Sequence, residues 1–133
     1  MADRLAPLGI AELDEQHRSM GGILGVFQLA INKRRPDHEL RGLIDTGMAA
    51  LCAHCRHEEQ LMEASAYPDA TAHRLDHERL VLATTAFSED VLHHHLTPDV
   101  LIEHGDVLRT LFIAHIDRDD RALAAHLMSL AVA

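Results

Sequence analysis

Histidine recurs on the apolar stripe of every helix-forming segment of this chain, and no other feature constrains the fold as much. Breaker residues divide the sequence into four such segments. Lys33-Arg34-Arg35-Pro36-Asp37 closes a first helix that begins near Leu13, and Ala66 to Asp69, with Pro68, closes a second. A third runs from about Ala70 to His95. Thr97-Pro98-Asp99 supplies an N-cap, a proline at the first helical position and an early acid, so a fourth helix starts there. Steps of three and four, the spacing of one helix face, pick out His17, Met20, Leu24, Phe27 and Ile31 on the first helix. On the second the same steps give Leu40, Leu43, Gly47, Leu51, His54, Glu58 and Leu61. The third yields His73, His77, Leu80, Thr84, Phe87 and Val91, and the fourth Leu101, Leu108, Phe112 and His115.

Composition supports the same architecture. Strand-favouring residues are sparse, whereas Ala, Leu, Glu, Arg and Met are plentiful, so the expected fold is all-α: an up-down-up-down antiparallel four-helix bundle. At 133 residues the chain is expected to form a single domain over residues 1–133, with a core that needs no disulfides. A formal charge of -9 argues against nucleic acid or an anionic membrane as partner. No apolar run is long enough to span a bilayer and the N-terminus lacks a signal-peptide layout, so a soluble cytoplasmic protein without membrane insertion is expected.

A lone buried histidine is usually satisfied by one hydrogen bond. Four helices that each bury one, together with Glu58, ask for more, because an unpaired carboxylate in a core costs several kcal/mol or is driven to protonate. A cation removes that cost. His54 and Glu58 share a helix face at i, i+4, as do His73 and His77. His115 and Asp120 are five apart and would diverge by about 140° on an ideal α-helix, so the helix must loosen or end between them if both are ligands. Five imidazoles and two carboxylates are too many for one metal and suit two bridged metals with an open position. Mixed imidazole and carboxylate ligation favours iron or another first-row metal over calcium or a structural zinc. A metal-free bundle is the alternative, and it leaves Glu58 unexplained.

Leu13-Asp-Glu-Gln-His17, the stretch HCRHEEQLM over 54–62, Tyr67-Pro68, HRLDH over 73–77 and HIDRDD over 115–120 occur in an order that resembles the hemerythrin family, specifically its single-domain bacterial members. The resemblance covers most of the chain. It implies a non-haem di-iron centre with an oxo or hydroxo bridge, one iron held by His73, His77 and His115 and the other by His17 and His54, with Glu58 and Asp120 bridging. It also implies that the second iron keeps an open position where O2 binds reversibly. Against the family pattern, Cys55 stands where Phe is usual, Leu111 where Trp is usual, and Phe112 at a position that often holds Leu. Phe112 is expected near the open iron position, and Cys55 is expected to alter the surroundings of the site.

Gly21, Gly22 and Gly25 follow His17 despite the poor helix propensity of glycine, which suggests close helix packing or, for Gly21, a widened pocket or gas channel. Cys52 and Cys55 lie inside a helix with no preceding strand, and are read as small buried residues with redox sensing as the alternative. His57 is rotated off the ligand stripe, Glu59 is expected to face solvent, and His93-His94-His95 to form a solvated helix end. The expected function is reversible O2 binding, as a carrier, a store or a supplier to an oxygen-consuming partner, and not catalysis. The alternatives are a di-iron enzyme that turns over peroxide or nitric oxide, or a sensor acting through a separate partner.

Overall fold

The structure, a computed structural model, describes residues 6–93 and 96–131. Four long helices form the bundle: α1 (Ala11–Asn32), α2 (Asp37–Ala64), α3 (Ala70–His93) and α4 (Pro98–His115). Helix α1 packs on α2 and α4, and α3 packs on the same two, so short connections fold the chain up and down around one core. After α4 the helix loosens into a π-helical turn, Ile116–Asp120, and resumes as α5 (Arg121–Ala131). No helix among the described residues is long and apolar enough to cross a membrane.

Every residue of the four stripes is buried or half-buried. The starts and stops follow local chemistry. Thr97 Oγ1 accepts from the Val100 amide at 3.4 Å with Pro98 at the first helical position. Helices α1 and α2 both end in a Schellman turn, with Arg35 N donating to Ala30 O at 3.0 Å and Tyr67 N to Met62 O at 2.9 Å. The left-handed residue in each is not glycine: Arg34 has φ 55° and Ala66 φ 52°. Ala66→Gly is therefore expected to stabilise the fold by about 1 kcal/mol, because it relieves a backbone conformation that disfavours a Cβ. An unchanged urea midpoint would count against this. Of the histidine run, His94 and His95 lie outside the described residues. His93 is exposed and closes α3, with Nε2 3.6 Å from Glu89.

The core is divided along the bundle axis. Phe27, Ile31, Leu40, Phe87, Leu101 and Leu108 fill one end with apolar packing. Leu8, Leu13 and Ala124, with Met62, Tyr67 and Leu123, close the other. Between these plugs the interior is imidazole and carboxylate.

Candidate metal centre

Among the described residues, the buried polar or charged side chains are His17, His54, Glu58, His73, His77, His115 and Asp120. Their donor atoms form two groups, each with all atoms within 4.8 Å of one another: His73, His77 and His115 in one, His17 and His54 in the other, and Glu58 and Asp120 in both. Ring packing follows the same division. Imidazole centroids of the first group are 4.6–5.1 Å apart and those of His17 and His54 4.8 Å, whereas His54 and His77, across the groups, are 6.5 Å apart. Asp120 turns Oδ2 toward His17 and His54, at 2.9 and 3.4 Å, and Oδ1 toward His73 and His115, both at 2.9 Å. Glu58 Oε1 meets His77 at 2.9 Å, His54 at 3.2 Å and His73 at 3.3 Å.

The π-helical turn brings Asp120 to this point. A turn closed by i→i+5 bonds returns to the same face after five residues, as an α-helix does after about four, and such turns cluster at functional sites. The loosening required by the spacing of His115 and Asp120 is thus present, and the chain continues as helix beyond it.

Further side chains aim the imidazoles. His54 Nδ1 donates to Gln16 Oε1 at 2.7 Å, and Gln16 Nε2 donates to His57 Nδ1 at 2.9 Å. His77 Nδ1 donates to Glu59 Oε2 at 2.9 Å. His115 Nδ1 donates to Asp76 Oδ2 at 2.5 Å and lies 3.1 Å from Asp119 Oδ2. Each bond fixes a ring orientation with Nε2 inward. Glu59 is thus only half-exposed and holds a buried imidazole, instead of simply facing solvent as the sequence suggests.

The donor set fits a metal pair. Glu58 Oε2, His115 Nε2 and Asp120 Oδ1, all turned into the cluster, are buried without a hydrogen-bond partner among the described residues. His115 Nε2 and Asp120 Oδ1 are close, but not aligned as donor and acceptor. Buried polar atoms left this way each cost about 1–3 kcal/mol, and a cation between them relieves the cost.

Without metal, the cluster holds protons instead. Burial works against charge on His54 and His73, but the close carboxylates of Asp120 and Glu58 outweigh it and push both up to about 9. Burial likewise opposes ionisation of Glu58, yet hydrogen bonds from His54, His73 and His77 bring it down to about 2. Asp120, against the same burial, is held well below the usual carboxylate range by His115, His17, His54 and His73. The raised imidazoles stabilise the metal-free fold fully below 6.5, and this is lost as pH rises through about 9. The lowered Glu58 stabilises it above 4.5, and this is lost as pH falls through about 2. The metal-free protein is expected to resist urea best between about pH 4.5 and 6.5, and to release about two protons per chain on metal uptake at pH 7. Calorimetry in buffers of differing ionisation enthalpy measures the release; uptake without protons would contradict it.

An apolar cavity of about 130 Å³ lies between the four helices, and of the seven buried polar residues His17 alone is on its wall. Phe112 and Gly21 line it as well, whereas Cys55 is buried off the wall and outside both donor groups. Burial, with Glu58, Glu59 and Asp120 nearby, pushes the Cys55 thiol far up, which suits an inert core residue. Close packing does not account for the glycines of α1: a Cβ at Gly21, Gly22 or Gly25 would meet nothing within 4 Å, because that face is exposed. Leu111 is 46% exposed on the far side of α4 and packs no core.

Residues 8–127 match the family model of the hemerythrin HHE cation binding domain. No curated protein and no solved structure matches the chain. With nearly its whole length matched, and a buried imidazole and carboxylate cluster suited to non-haem metal inside a four-helix bundle, the chain belongs to the hemerythrin family.

Proposed function

We propose that the chain holds two iron ions and binds O2 reversibly, as a carrier, a store or a supplier to an oxygen-consuming partner. One observation carries the reading: two carboxylates shared by unequal imidazole groups, three against two, with an apolar cavity on the side of the smaller group. His73, His77 and His115 would hold one ion, His17 and His54 the other, with Glu58 and Asp120 common to both. Imidazole and carboxylate together suit iron. When bound, the reduced ion pair supplies the electrons on which reversible O2 binding depends.

The chain's own residues keep that binding from becoming oxidation. Gln16, Glu59 and Asp76 hold the imidazoles with Nε2 turned inward as donors. The cavity wall gives water few partners. Thr84 and Ser88, which reach it, turn their hydroxyls onto the carbonyls of Leu80 and Thr84 at 2.8 and 2.9 Å. The thiol on which peroxide or nitric oxide turnover could draw, Cys55, is held protonated off the cavity wall.

Iron-loaded, reduced protein is expected to take up one O2 per iron pair and to release it on sparging with argon. Steady consumption of O2 or peroxide would favour an enzyme instead. Gly21→Leu, at the solvent-exposed rim of the cavity, is expected to slow O2 association roughly tenfold without changing iron content. Unchanged association kinetics in stopped flow would show that entry does not pass Gly21.

A further inference from the structure

The cavity is much larger than a diatomic ligand requires. It is lined on α1 from His17 to Phe27, ten helical steps that cover about 15 Å at the α-helical rise. At its inner end it meets Phe27, Phe87 and Leu108 of the apolar core. Its volume, about 130 Å³, is close to that of the apolar cavities of about 150 Å³ that stay dry and take up benzene or xenon. The chemistry of the wall selects further. Met20, Leu24 and Phe112 present carbon and sulfur, and the hydroxyls of Thr84 and Ser88 are committed to helix carbonyls. A ligand here gains by leaving water and has few hydrogen bonds to make.

We propose that this cavity is a binding site for a small, uncharged, hydrocarbon-like molecule, seated beside the His17 side of the buried cluster. The site depends on cavity shape and wall chemistry and not on the identity of the metal. Cations of the same size are excluded, since Arg109 stands on this wall and no carboxylate does, so a second positive charge would go unpaired.

Benzene uptake from the headspace over full-length protein, metal-free and iron-loaded, tests the site directly. The expected result is saturable uptake of one benzene per chain in both forms, with benzylammonium neither bound nor competing. Gly47→Leu, which adds a side chain to the half-buried wall beside Ile23, is expected to weaken uptake at least tenfold, and Leu82→Ser, on an exposed face, to leave it unchanged. Uptake that rises linearly without saturation, or full affinity in Gly47→Leu, would overturn the proposal. Because benzene uptake is read without metal, its failure leaves the di-iron reading standing, and failure of O2 binding leaves the cavity site standing.

Discussion

Replacing Glu58 with alanine is expected to remove both metal ions at once. Its Oε1 lies within 3.3 Å of His54, His73 and His77, which belong to both donor groups, and the side chain is fully buried. His17→Ala removes a donor from the smaller group only, so it is expected to leave one iron per chain where Glu58→Ala leaves none. The metal-free Glu58→Ala protein should also be less stable at pH 7 by about 3 kcal/mol or more, because three buried imidazoles lose a carboxylate partner. Iron counted per chain, beside helix content by circular dichroism, separates loss of ligation from loss of fold. Full iron occupancy in folded Glu58→Ala would refute the shared role.

A second large effect is expected from residues that touch no metal. Asp76 accepts from His115 Nδ1 and Gln16 from His54 Nδ1, one on each group. Removing such a partner lowers metal affinity about 10–100-fold. Asp76→Ala should therefore weaken the three-imidazole position and leave the other close to wild type, and Gln16→Leu should do the reverse. Competition against a chelator resolves the two positions, and equal weakening of both by either variant would contradict the assignment.

Much of this arrangement is legible in the sequence because a helix shows its buried face as spacing. His54 with Glu58 and His73 with His77 fall on stripes that continue as Leu and Phe, and their burial follows from the period alone. The five-residue interval from His115 to Asp120 likewise implies a loosened turn before any geometry is known. Partners of the other ring nitrogen are harder to read. Whether Glu59 reaches His77, or Asp76 reaches His115, depends on the rotation of one helix against its neighbour, and each of these acids could equally face water. The cavity is a volume left between four helices, and the exposed glycine face of α1 is a surface with no packed neighbour; one chain's periodicity encodes neither. Ala66 and Arg34 adopt left-handed turns usually given to glycine, so they carry no local signal.

The optical spectrum of iron-loaded, anaerobically reduced protein, taken before and after admitting air with iron counted per chain, tests the central claim most directly. Two irons per chain and a new visible charge-transfer band that disappears under vacuum and returns with air are the predicted result. Fewer than two irons, or a single irreversible step to a stable di-ferric spectrum, would contradict it.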